Sequence, residues 1–164
     1  METRKSIRLS GHDYSQGGVY FVTICTRDKE PLLWEQNTPV GADIIRPSIG
    51  DRQEIPMSAA GRIVDQAIQN IPENYDGVHV EKYVVMPNHV HMLLAIKGGR
   101  MVSAPTISTI VGSMKRWASQ QCGRPIWQKS FYDHVIRDDN DFLIKWNYID
   151  TNPARWQEDE YCEG

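Results

Sequence analysis

Two histidines one residue apart, His89 and His91, stand in the stretch Tyr83-Val84-Val85-Met86-Pro87-Asn88-His89-Val90-His91-Met92-Leu93-Leu94. On a strand, positions i and i+2 point to the same face. The two imidazoles therefore lie side by side while Val90 turns toward the core, an arrangement that suits a divalent cation. A bare His-x-His is also common on solvent-facing strands, so the pair needs company. Tyr148 and Asn152 provide it. With residues 140–150 on a helix, Phe142, Leu143, Trp146 and Ile149 form an apolar stripe that packs on a sheet. Tyr148 then falls on a different face, free to project into a site. Asn152 follows four residues later and shares that face one turn on. Its amide oxygen can complete a metal site begun by the histidines, and imidazole with oxygen matches Mn²⁺ better than Mg²⁺ by ligand softness. Pro153 places Asn152 at a helix end, where a capping role is the alternative.

A further group is Tyr132-Asp133-His134. His134 can assist a proton transfer or contact phosphate, with Asp133 holding one tautomer. Pinning a strand end is the commoner role for such a group.

The elements that must position these residues follow from pattern. Val19 to Cys25 is rich in β-branched and aromatic residues and predicts a buried strand. Residues 28–57 carry charges and four prolines with little periodicity, which predicts a long irregular excursion. Ser58 caps a helix through Ile68, ended by Ile71-Pro72. Val78–Met86 and His89–Ile96 predict two strands, with Pro87-Asn88 as a tight connection between antiparallel neighbours or a bulge within one long hairpin, and Gly98-Gly99 as the stop. Ile107, Ile110, Val111, Met114, Trp117 and Ala118 recur at helical intervals, predicting a helix over Thr106–Gln121 that exposes Lys115 and Arg116. Phe131–Ile136 predicts a short strand, and Asp138 or Asp139 caps a last helix. The order matches the ferredoxin-like βαββαβ arrangement, an antiparallel sheet with helices on one face, followed by an additional C-terminal helix carrying Tyr148. The other face of the sheet is expected to be open for a ligand or a site.

At 164 residues the chain fits one domain, 1–164, with a core that needs no staple. Cys25, Cys122 and Cys162 are odd in number and widely spaced, which argues against a disulfide framework or a cysteine zinc site. No apolar run spans a bilayer and the start is polar, so a cytoplasmic location without a membrane is expected. The net charge of −3 counts against a nucleic-acid partner, but its distribution does not. From Lys97 to Arg137 seven basic residues face one acid, a net +6, while the C-terminus is acidic. A basic face of this kind is compatible with phosphate binding.

Taken together these stretches resemble the single-tyrosine HUH (His–hydrophobic–His) transposases, and most nearly the REP-associated tyrosine transposases. The resemblance runs through Arg8-Leu9, Asp13-Tyr14, Gly18–Cys25, Val84–His91, Ile126-Trp127-Gln128, Phe131–Arg137, Tyr148-Ile149 and Asn152-Pro153. It implies a ferredoxin-like domain that cuts and rejoins single-stranded DNA, often beside a DNA hairpin. It implies a divalent metal, Mg²⁺ or Mn²⁺, on His89 and His91, with Asn152 as third ligand by position. It also implies Tyr148 as the nucleophile forming a 5′-phosphotyrosine bond, in a monomer or a homodimer. Lys115, Arg116 and Arg137 are then the expected DNA contacts, with bases stacking on Trp117 or Trp127. For Trp117 a core position is the favoured expectation. Two other classes remain open at this point: a ferredoxin-like module that binds DNA or RNA hairpins without cutting them, and a metal-dependent phosphoesterase for small substrates.

Overall fold

The computed structural model describes residues 17–35, 57–97 and 106–152. Most of the expected irregular excursion, together with Arg8-Leu9, Asp13-Tyr14 and Pro153, lies outside these residues. The described elements are β1 (Gly17–Cys25), α1 (Ala59–Gln69), the short α2 (Ile71–Asn74), β2 (Val78–Val85), β3 (His89–Lys97), α3 (Ile107–Cys122), β4 (Tyr132–Val135) and α4 (Asp139–Thr151), with a single 3₁₀ turn at Arg27–Lys29. The sheet order is β2-β3-β1-β4 and all neighbours are antiparallel. Each helical crossover thus skips one strand, as the ferredoxin-like α+β arrangement requires.

Local chemistry explains the element ends. Ser58 Oγ accepts from Gly61 N at 3.1 Å, Thr106 Oγ1 from Thr109 N at 3.1 Å, and Asp138 Oδ1 from Asp141 N at 2.8 Å, each satisfying an otherwise orphaned helix donor. Gly123, at φ 79°, closes α3 in the left-handed conformation that only glycine adopts cheaply. Pro72 ends α1 but seeds α2, because proline is welcome in the first turn of a new helix. Pro87 and Asn88 make the β2–β3 turn, closed by Met86 N donating to His89 O at 2.8 Å.

Strand alternation divides the sheet into two faces. Val22, Ile24, Val85, Val90, Met92 and Leu94 point one way and form the main core with Val64 and Ile68 of α1 and Ile110, Val111 and Met114 of α3. Phe21, Val84 and Leu93 point the other way, with Trp34, Met86, Ile136 and Ile149. This second face is not open, contrary to the sequence expectation. α4 lies over it, burying Ile149 and partly burying Phe142, Trp146 and Tyr148. The expected stripe is corrected at two points: Leu143 is 56% exposed, as is its neighbour Ile144 at 54%, and Tyr148, expected on a different face clear of the core, packs partly buried against the same cluster as Ile149.

Candidate active site

The pairing register brings the chemistry together. His91 pairs with Thr23 on one side and Val84 on the other, and His89 pairs with Cys25. Both histidines are fully buried on the α4-covered face, with Val90 between them in the main core, as alternation requires. Their rings meet edge to face, 4.5 Å between centroids, and their Nε2 atoms are 3.1 Å apart.

The remaining ring nitrogens are held from outside the pair. Asn88 Nδ2 donates to Lys29 O at 3.4 Å, which turns the amide oxygen toward His89. His89 Nδ1 therefore donates to Asn88 Oδ1, at 2.7 Å, and presents a bare Nε2 lone pair. His91 Nδ1 meets Thr23 Oγ1 at 2.9 Å. When His91 donates to Thr23, both Nε2 lone pairs converge, the arrangement a cation requires. Asn88 is itself buried, its carbonyl accepting from Thr26 N (3.0 Å) and Thr26 Oγ1 (3.2 Å).

Tyr148 comes to this pair from α4. Its ring lies 5.1 Å from that of His91 and 6.1 Å from that of Phe21, both at steep angles, while Phe21 stacks on His91 at 5.2 Å and 20°. One turn before Tyr148, Lys145 sets its ammonium over the Phe21 ring at 5.1 Å. Asn152 is the residue at the end of α4, so the capping alternative is realised by its backbone, which donates to Ile149 O at 3.3 Å. Its side chain does something else: Oδ1 is buried and has no hydrogen-bond partner. An orphaned buried amide oxygen is costly, and a cation ligand is the kind of partner that would satisfy it. No group of three or more His, Cys, Asp or Glu side chains is gathered for a metal among the described residues. Two imidazole nitrogens that face each other and a buried neutral amide oxygen are donor types that would suit a divalent cation.

His134 is held by Asp141, not by its neighbour Asp133. Its Nε2 lies 2.9 Å from Asp141 Oδ2, because alternation turns Asp133 to the opposite face. Desolvation pushes the Asp141 carboxyl up, but the Arg137 N–H, the His134 hydrogen bond and charge, and Lys145 together hold it below its ordinary value. This contact ties β4 to the first turn of α4. Near the other end, Lys82 Nζ pairs with Asp150 at 3.0 Å and lies over the Trp146 ring at 4.6 Å.

The expected DNA contacts separate. Arg116 and Arg137 are exposed. Lys115 Nζ instead donates to the carbonyls of Gln128 (2.9 Å), Lys129 (3.3 Å) and Ser130 (3.4 Å), and burial lowers its pKa, with Cys25 acting the other way. Trp127 is buried in the core and is no stacking platform, since Ile126–Gln128 continues alongside the end of β1. Trp117 is partly buried against the core, as favoured. Thr23, Asn88, Phe21 and Lys145 were not singled out from sequence. Asn88 adjoins the histidines, but only the strand register reveals Thr23 and Phe21.

Fold and site define a ferredoxin-like α+β domain with a paired-histidine centre beneath a tyrosine-bearing C-terminal helix. No protein-family model matches the chain. An uncharacterized protein of Haemophilus influenzae is 32% identical over 179 aligned positions, covering 96% of this chain and 92% of that one. A REP-associated tyrosine transposase of Escherichia coli is 29% identical over 77 residues, covering 46% of this chain and 44% of the relative. The solved structure of a REP-associated tyrosine transposase bound to a REP hairpin shares the fold with a TM-score of 0.60 at 21% identity, over 88% of this chain and 71% of that one. The chain is thus similar in sequence, over 46% of its length, to a REP-associated tyrosine transposase and shares the fold of another.

Proposed function

We propose that this chain, acting as one domain in the cytoplasm, is a metal-dependent single-stranded DNA endonuclease and strand-transferase that works beside DNA hairpins. The observation that carries the proposal is Tyr148 set against His91, 5.1 Å between ring centroids, where the two histidine Nε2 atoms face each other. The hairpin partner is supported by the family resemblance and by the structural neighbour bound to a REP hairpin.

His89 and His91, with the Asn152 amide oxygen as third donor, would hold a divalent cation, Mn²⁺ or Mg²⁺, whose Lewis acidity draws charge from the phosphoryl oxygens. Tyr148 Oη attacks phosphorus, the bond to the 3′ oxygen breaks, and the phenol's proton is lost as the 3′-hydroxyl gains one. The product is a 5′-phosphotyrosine that conserves the phosphodiester energy, so a second 3′-hydroxyl can reverse the step on another strand. A phenol has an ordinary pKa near 10 and needs help to ionise at neutral pH; the Lys145 ammonium, one turn away, adds positive potential on that side. Phe21 and the α4 apolar residues keep water from the rings. Because both histidines are fully buried, a phosphate reaches them only once the residues that cover them, Tyr148 among them, move aside. Arg116 and Arg137 contact the DNA backbone, and His134 supports the site by anchoring α4.

Trapping the covalent adduct on a denaturing gel tests this. Wild-type protein with Mn²⁺ and a hairpin-flanked single strand gives a shifted, protease-sensitive band, and Tyr148→Phe loses it while retaining its fold. Undiminished adduct in Tyr148→Phe would mean another nucleophile. Salt-sensitive binding with no adduct from the wild type would favour the non-cutting hairpin module.

A further inference from the structure

Tyr132 is 54% exposed and is the one Phe, Tyr or Trp among the described residues with an exposed side chain. Its position in the sheet is specific. Thr23 pairs with His91 on one side and with Tyr132 on the other, so the three residues form a row across β3, β1 and β4. Paired residues share a face, and Thr23 Oγ1 meets His91 Nδ1. The Tyr132 ring is therefore presented on the same face as the histidine pair. Its Cα lies about 10 Å from that of His91, two strand spacings away. The chain leading to it is tied down at several points: Gln128 N donates to Cys25 O, and Lys115 donates to the carbonyls of 128–130. Gln128, Lys129 and Ser130 are all exposed along this approach.

We infer that Tyr132 is a stacking platform for an unpaired base flanking the phosphate that reacts at Tyr148, and that Lys115 is a positioning residue for it, not a phosphate ligand. The inference rests on the proposed action on single strands. An exposed ring on a pinned edge, with a cation three residues before it, is the combination that holds single-stranded nucleic acid without sequence preference. A duplex base, already stacked on both faces, gains nothing from such a ring, so the platform selects single over double strands.

The test is fluorescence anisotropy of a labelled oligothymidylate with wild-type protein, Tyr132→Ala, Tyr132→Phe and Tyr132→Trp, over a range of salt, with the adduct assay run on the same proteins. Loss of one stacked base corresponds to at least about fivefold weaker binding for Tyr132→Ala, with Phe and Trp within about twofold of wild type and the salt slope unchanged. Tyr132→Ala binding as tightly as wild type, or Tyr132→Phe as weakly as Tyr132→Ala, would overturn the platform whatever the adduct assay shows. Loss of binding in Tyr132→Ala alone, with no adduct from any protein, keeps the platform and removes the strand-transfer reading. Absence of single-strand binding by the wild type removes both.

Discussion

Thr23→Val isolates the hydrogen bond that orients His91. The substitution keeps the side-chain shape and replaces the hydroxyl that meets His91 Nδ1 at 2.9 Å by a methyl group. Thr23 is 1% exposed and His91 fully buried, so no water is at hand to take the hydroxyl's place. A buried ring nitrogen left without a partner costs about 1–3 kcal/mol. For a chain of this length that corresponds to a melting point lower by about 2–12 °C. The effect on the site is separable. His89 retains its own partner, Asn88 Oδ1, and stays in its tautomer. His91 alone can then hold its proton on Nε2, where it blocks a cation. Loss of one such supporting contact weakens metal binding by about 10–100-fold. The measurements are a thermal melt, titration calorimetry with Mn²⁺, and single-turnover adduct formation. Thr23→Val protein that melts lower yet binds Mn²⁺ as tightly as wild type would refute the orienting role and leave Thr23 a packing residue.

Four other outcomes are expected. Gly61→Ala places a Cβ against the Leu33 carbonyl oxygen and 3.1 Å from Met57 Cβ, so denaturation midpoints should report a loss of about 1–3 kcal/mol. Asp141 has a lowered carboxyl pKa when folded; its contribution is present above the ordinary carboxylate range and is lost as pH falls through the folded value. Wild type should therefore exceed Asp141→Asn in stability at neutral pH, and the gap should close below about pH 4; a constant gap would contradict this. Ile149→Ala should destabilise the packing of α4 by about 2–5 kcal/mol, read as faster hydrogen exchange in that helix. Arg116→Ala should make the salt slope of single-strand binding shallower by about 0.7, whereas Lys115→Met should leave the slope intact, its ammonium being engaged with three carbonyls.

The elements and their caps were legible because they depend on local chemistry: Ser58, Thr106 and Asp138 each accept the helix N–H that their position predicts. So was the same-face placement of His89 and His91, which follows from strand periodicity alone. What escaped the sequence is what depends on register between distant segments. Thr23 meets His91 across 68 positions, and nothing near residue 23 announces it. Asp141 takes the role expected of Asp133 because contact across the β4–α4 corner outweighs adjacency in sequence. Trp127 and Leu143 were misplaced for a related reason: an aromatic near basic residues can still be buried by its neighbours, and a helix laid on a sheet covers a narrower stripe than its apolar positions suggest.

α4 buries one residue fully, Ile149, whereas α1 buries four and α3 five. Among the described residues its attachments include ring contacts and the His134–Asp141 and Lys82–Asp150 pairs at its two ends. Two tiers of stability are therefore expected: a sheet-and-two-helix body that opens late, and a single helix whose release is a separate, smaller free-energy step. The element that carries Tyr148 is thus the one expected to open first, and amide exchange along α4 compared with β3 would measure the height of that step.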